Sequence, residues 1–233
     1  MKLFGYFDIP QPWTLENWRQ VIKDPILLRS LQNTFVLGIS AAGLGILLSS
    51  VIAYIIVKSK FFARGFLDSI SWIPWSIPGI LLGMALASSL LLFHQVVPLY
   101  GTMAALVVAM TISGLPLTVQ VIKSFLMQLA DELEEASQVA GATWLTTFRR
   151  ILLPLLLPCV IVVGLLEFIA SARNISTVVL LATGKNRTLS LLMLDYTAGA
   201  ELEKATVVGA IIVLMVLTAA IVARILGSKV GIR

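Results

Sequence analysis

The sequence predicts an all-α integral membrane protein of about five transmembrane helices, and three observations carry that expectation. Hydrophobic residues make up 58% of the 233 positions and charged residues only 12%, whereas soluble domains average about a quarter charged. The mean hydropathy is +0.98. Apolar runs long enough to cross a hydrocarbon core of roughly 30 Å recur along the chain, separated by short polar or basic segments.

Composition also excludes several functions. A net charge of +5 would suggest nucleic acid in a soluble protein, but here lysines and arginines flank the apolar runs. The lipid bilayer is therefore the expected partner, and nucleic acid is not. Cys159, the only cysteine, lies within an apolar run and cannot form an internal disulfide. His94 is the only histidine, so no Cys/His metal cluster can assemble. The chain has no Gly-x-x-x-x-Gly-Lys-Ser/Thr loop and is expected to bind neither ATP by that motif nor any cofactor.

Met1 to Pro12 lacks the continuous apolar core of a signal peptide. Thr14 to Asp24 reads as a short amphipathic helix with Trp18, Val21 and Ile22 on one side, closed by Pro25. Asn33 to Val57 is the first span, and Ser40, Ala41, Ala42, Gly43 and Gly45 are small enough to let membrane helices approach closely. Lys58, Lys60 and Arg64 follow as a basic loop of the cytoplasmic type.

The second run, from about Phe66 to Phe93, contains Trp72-Ile73-Pro74-Trp75-Ser76-Ile77-Pro78-Gly79. Each proline removes a backbone donor and crowds the preceding turn, so a kink or break is expected. Pro74, Pro78 and Gly79 are candidates for lining a translocation path, with packing as the other use of such a kink. Trp72 and Trp75 also suit interfacial anchors. A third span runs to about Lys123, interrupted by Gly114 and Pro116.

The fourth span starts near Ile151, with Pro154 and Pro158 in its opening turns. Glu167 and Arg173 stand towards its far end. Ionisable groups in a span are functional candidates by default, so both are candidate path residues, and a static pair or an interfacial position are the alternatives for Glu167. Thr183-Gly184-Lys185-Asn186 signals a turn, Leu189 to Tyr196 a short re-entrant or surface helix, and Ala205 to Leu226 the last span.

Between the third and fourth spans lies Glu135-Ala136-Ser137-Gln138-Val139-Ala140-Gly141, followed by Ile151-Leu152-Leu153-Pro154. Asp131 and Glu134 stand at capping-box spacing, so a helix starts here with acidic groups in its first turn. Ala136, Val139 and Ala140 share one narrow apolar face. Gly141 can take the left-handed conformation that ends a helix. Trp144 and Phe148 mark the apolar side of a second helix, with Arg149 and Arg150 at the membrane edge. The shape suits docking, and nothing in it performs chemistry.

This segment resembles the loop signature of permease subunits in binding-protein-dependent ABC importers: Glu-Ala-Ala, a spaced Gly, then Ile-x-Leu-Pro. Glu135, Ala136, Ser137, Gly141, Ile151, Leu153 and Pro154 match it, with Ser137 replacing the second Ala. The resemblance, which runs from about Leu27 onward, implies the type I permease fold and a cytoplasmic coupling helix. Glu134, Glu135, Ala136, Ser137, Val139, Ala140, Gly141, Ile151, Leu153 and Pro154 would then seat on a separate ABC ATPase subunit that uses ATP. It also implies a second permease half, the same chain or a homologous one, and an extracytoplasmic solute-binding protein. The implied location is the bacterial or archaeal cytoplasmic (inner) membrane, with multiple passes.

Family members carry another span ahead of such a start, so a fragment, a late start or one half of a larger permease is implied. The expected organisation is an extracytoplasmic segment over 1–26, the membrane domain over 27–226 with its coupling loop at about 128–150, and a cytoplasmic tail over 227–233. Lysines and arginines divide almost evenly between the two sides, so orientation rests on the loop. Thr14-Leu15-Glu16-Asn17-Trp18, the Trp72–Gly79 run and Ser176-Thr177-Val178-Val179-Leu180-Leu181 resemble the ferric-iron branch, a pattern shared with polyamine, thiamine and phosphonate permeases. Two other classes stay open: an intramembrane enzyme using Glu167, Asp195 or His94, and a secondary transporter driven by an ion gradient.

Overall fold

Asp24 organises the start of the fold. The computed structural model describes residues 15–96, 98–129, 136, 137 and 139–229. Helix α1, Glu16–Lys23, ends at Asp24, whose extended backbone is what a residue before proline prefers. Asp24 Oδ1 accepts the Ile26 N–H at 2.8 Å and caps α2, Pro25–Lys58. Its Oδ2 accepts the Tyr196 hydroxyl at 2.7 Å. In α1, Val21 is buried and Trp18 packs on the core. Ile22, expected on the same side, is 63% exposed, because it lies about 100° round the helix from Val21.

The 34 residues of α2 span about 51 Å at 1.5 Å each, well beyond a hydrocarbon core of roughly 30 Å. The expected span from Asn33 is thus the C-terminal part of a longer helix that begins at its proline. Ala41, Ala42 and Gly45 are buried on it, whereas Ser40 and Gly43 are exposed.

The second apolar run is broken, not merely kinked. It folds as α3, Arg64–Ser71, α4, Ile73–Ser76, and α5, Gly79–Leu92. The two parts meet at 106°. Pro78 supplies no N–H to carry a helix across the gap, and Ile77 before it is extended. Asp68 holds α3 down: Lys123 pairs with it and Gln120 Nε2 donates to Oδ1 at 3.2 Å.

Helix α6, Met103–Leu126, runs unbroken through Gly114 and Pro116, contrary to the expected interruption. One missing donor is tolerated where neighbouring helices pack the turn, and α6 is the most extensive partner of α2. After a short helical turn α7, Trp144–Thr147, and one π-helical turn, Phe148–Leu152, comes α8, Leu153–Arg173. Helices α9, Leu189–Ala198, and α10, Leu202–Lys229, complete the chain. The first turn of α9 is buried from Leu189 to Leu192, so of the two expectations, a re-entrant or a surface helix, the surface one does not hold.

Among the described residues, four helices are long and apolar enough to cross a membrane, five if the bent pair counts as one span. Three buried clusters run along the bundle. Ala53, Ile122 and Leu156 lie in one, Leu37, Leu106 and Val178 in the next, and Phe168, Leu192 and Val208 in the third.

Candidate functional site

The docking segment is a tight helical hairpin centred on Gly141. Ala140 N–H donates to the Ala136 carbonyl at 3.0 Å and Ala142 N–H to that of Ser137 at 3.0 Å. This six-residue closure needs a left-handed residue at the helix end, and Gly141 has φ +79°. Beyond the turn, the Thr143 hydroxyl accepts the Thr146 N–H and starts α7. The two arms are joined by a buried bond of 2.8 Å between Ser137 Oγ and Thr147 Oγ1.

Ser137, the one departure from the sequence signature, is thus the clasp of the hairpin. Its partner Thr147 carried no signal of its own in the sequence. Ala136, Val139 and Ala140 are exposed, Val139 at 89%. An apolar face held out on a fixed turn is suited to a protein partner. Glu134 and Glu135 lie outside the described residues.

The hairpin is anchored by a residue that the motif does not name. Leu152 is 1% exposed, while Leu153 and Pro154 are exposed and Ile151 is half-buried. Pro154 and Pro158 each withhold an N–H near the start of α8, and the π turn over Phe148–Leu152 stands just ahead of that weakened ladder.

Glu167 lies in the centre of the bundle at 1% exposure, and its Oε1 has no hydrogen-bond partner. A Cβ on Gly45 of α2 would stand 3.7 Å from its Cγ, and one on Gly114 of α6 would stand 1.9 Å from its Oε2. Two glycines on facing helices therefore make the space this carboxyl fills. Ser49 Oγ and Thr118 Oγ1 bond at 2.5 Å one turn further along α2 and α6. Arg173 is exposed at the end of α8 and does not pair with Glu167. The static pair that the sequence allowed is absent among the described residues.

The break region brings other candidates together. Pro74, Ile77, Leu82, Ile112 and Leu115 line an apolar cavity of about 320 Å³. Gly79 packs against Ser176 and Thr177, with both hydroxyl oxygens 3.1 Å from where its Cβ would stand. Trp72 and Trp75 meet edge to face at 5.9 Å and are exposed. The three residues of an enzyme reading do not meet. Asp195 accepts from Arg187 Nη2 at 2.8 Å, His94 is exposed beyond α5, and Glu167 faces the two glycines. Among the described residues, no group of three His, Cys, Asp or Glu gathers to hold a metal ion.

Residues 45–232 match the family described as "Binding-protein-dependent transport system inner membrane component". The chain belongs to this family. It is therefore a component of a transport system and a multi-pass inner-membrane protein.

Among its relatives, the sulfate transport system permease protein CysT of Salmonella typhimurium is 28% identical over 181 residues, covering 71% of this chain and 64% of CysT. The ferric transport system permease protein FbpB of Actinobacillus pleuropneumoniae is 28% identical over 190 residues, covering 81% of this chain but only 27% of FbpB. The names of its relatives span sulfate, trehalose and ferric transport. The fold matches that of the MetNI methionine ABC transporter in an inward-facing crystal form. The TM-score is 0.69 at 21% identity, with 93% of this chain and 99% of that one covered. Type I importer permeases thus share this architecture.

Proposed function

We propose that this chain is one membrane half of an ATP-driven importer, forming the solute path and passing conformational change between that path and a separate ATPase. The Gly141 hairpin carries the reading. It is a turn closed at the left-handed Gly141 and clasped by Ser137 and Thr147, and it presents Ala136, Val139 and Ala140 outward from a membrane bundle. In this reading it seats on an ABC ATPase subunit in the cytoplasm, and that subunit binds and hydrolyses ATP. The N-terminal segment over 1–26 lies outside, with the membrane domain over 27–226 and the tail over 227–233 inside. A second permease half, identical or homologous, completes the path, and an extracytoplasmic binding protein delivers solute. ATP and the loaded binding protein favour one orientation of the path and hydrolysis restores the other.

The cargo in this proposal is a small inorganic ion. Ferric iron is supported by the residue pattern at Trp72–Gly79 and Ser176–Leu181 and by the FbpB relative. Sulfate is the second reading, supported by CysT. The test is purification from native membrane followed by reconstitution with the partners recovered. A stoichiometric ATPase subunit is expected, with saturable ATP-dependent uptake of ferric iron or sulfate and none of trehalose, spermidine, thiamine or aminoethylphosphonate. Uptake of an organic solute alone would reject the cargo. Transport or catalysis by the isolated chain would reject the importer.

A further inference from the structure

The break at Ile77–Pro78 leaves the N-terminus of the 14-residue α5 packed against the segment that follows α8. Such a terminus carries unpaired N–H groups and a partial positive charge. Pro78 holds the cap position without a side-chain cap. The N–H groups of Leu81 and Leu82 turn back to its carbonyl at 2.9 and 3.1 Å. Those of Gly79 and Ile80 precede the first helical acceptor and have no partner among the described residues.

Two hydroxyls face this helix end from the segment after α8. Ser176 Oγ and Thr177 Oγ1 each stand 3.1 Å from the position a Cβ would take on Gly79. Thr177 is 1% exposed and its Oγ1 is buried without a partner. Its backbone is fixed, because the N–H donates to Asn174 Oδ1 at 3.0 Å and the carbonyl presses on Gly83. The hydroxyl is thus held against the helix end and left unsatisfied, which buried polar groups avoid unless something else supplies the bond. Arg173, three residues before Ser176, is exposed and has no ion pair among the described residues. Glu167, the nearby carboxylate on α8, is turned towards Gly45 and Gly114. The Gly79 and Ile80 N–H groups and the Ser176 and Thr177 hydroxyls gathered at this end of α5 are all able to donate.

We propose that the N-terminus of α5 is a binding site for an inorganic oxyanion such as sulfate or phosphate on the translocation path. The Gly79 and Ile80 N–H groups and the Ser176 and Thr177 hydroxyls donate to it, and Arg173 supplies the opposing charge. The inference rests on the permease reading and, within it, selects the oxyanion over ferric iron. Broken membrane helices that aim half-helix N-termini at anionic groups are a recurring transporter device. The open half of the site is formed by Ser76, Pro78, Ile80 and Ser176, all exposed.

The experiment is equilibrium binding of radiolabelled sulfate to the full chain, purified with its ATPase subunit into phosphatidylcholine nanodiscs. Saturable binding is expected, with competition by phosphate and none by ferric ion. Thr177→Val should weaken it about tenfold, the loss of one hydrogen bond to a charged ligand, Gly79→Ala should weaken it by crowding both hydroxyls with a Cβ at 3.1 Å, and Thr177→Ser should stay near wild type. Ser176→Ala, at an exposed position, guards against a general folding defect and should weaken binding as well. Unchanged affinity in all of these variants overturns the site. So does an absence of saturable binding by a chain that still holds its ATPase subunit, which leaves the permease reading standing. Loss of the ATPase subunit itself would overturn that reading instead. Binding seen only in lipid-free micelles would assign the site to a lipid headgroup and overturn its place on the path.

Discussion

Replacing Gly114 with alanine tests the packing at the centre of the bundle most directly. The new Cβ would stand 1.9 Å from Glu167 Oε2, 2.4 Å from Cδ and 2.5 Å from Oε1. Ordinary contact begins at 3.4 Å, so α6 and the carboxyl must separate by about 1.5 Å. The displaced carboxyl is buried, and on its other side a Cβ on Gly45 of α2 would stand 3.7 Å from its Cγ and 3.9 Å from its Cδ. Overpacking of this kind costs about 1–3 kcal/mol. Alanine returns up to ~1 kcal/mol of helix propensity, so the expected net destabilisation is about 1–2 kcal/mol.

Gly43→Ala is the control, since a Cβ there meets nothing within 4 Å, and it should be neutral or slightly stabilising. Unfolding of the purified protein in one micelle measures each variant. The decisive quantity is the coupling between Gly114→Ala and Glu167→Ala, which should be at least ~1 kcal/mol because truncating Glu167 opens the space the methyl needs. Additive single effects, or a Gly114→Ala protein as stable as Gly43→Ala, would refute the reasoning.

Four further outcomes are expected. Gly141→Ala should cost roughly 1–2 kcal/mol of local strain at φ +79° and Gly141→Val more. Gly141→Asn should be tolerated, since nothing crowds the position, and co-purification of the ATPase subunit ranks the three. Ser137→Ala and Thr147→Val should each loosen the hairpin by about 1 kcal/mol, read as faster tryptic cleavage at the exposed Arg149–Arg150, with the double variant no worse than either single one. Tyr196→Phe should weaken the tie to Asp24. Burial, and then the Asp24 carboxylate, push the Tyr196 phenol up, so its contribution is complete below the ordinary tyrosine value of about 10 and is lost only as pH rises beyond it. Thermal unfolding of the variant and the wild type between pH 7 and 11 checks the direction. In a Cys159→Ser background, Phe62→Cys and Ala140→Cys should resist an impermeant thiol reagent in intact cells while Lys185→Cys labels, and labelling at 140 would invert the proposed topology.

The fold class was legible because it depends on sums. Spans of 24 residues or more, such as Met103–Leu126 and Leu202–Ile225, announce themselves by hydropathy whatever their neighbours are. The turn at Gly141 was legible for a local reason: a left-handed helix end favours glycine, and its hydrogen-bond closure spans six residues. What failed was anything that needed a partner helix. Pro116 looks like an interruption in isolation, and only packing against α2 and α8 explains an unbroken α6. The depth of α9 was not legible, because a ten-residue apolar helix suits a re-entrant and a surface position alike, and length says nothing about depth.

The candidate site shows the same limit more sharply. Glu167 stood out as a carboxylate in an apolar run, but its surroundings come from Gly45 and Gly114, which are distant in sequence and carry no polar signal. The Pro74–Pro78 pair announced a disturbance, yet whether a proline bends a helix or exposes its N–H groups depends on what takes up the freed donors. Here the facing segment offers the hydroxyls of Ser176 and Thr177, of which Thr177 Oγ1 is buried without a partner. Their meeting with Gly79 sets two hydroxyls beside unpaired N–H groups, an arrangement that no residue pattern within either segment encodes.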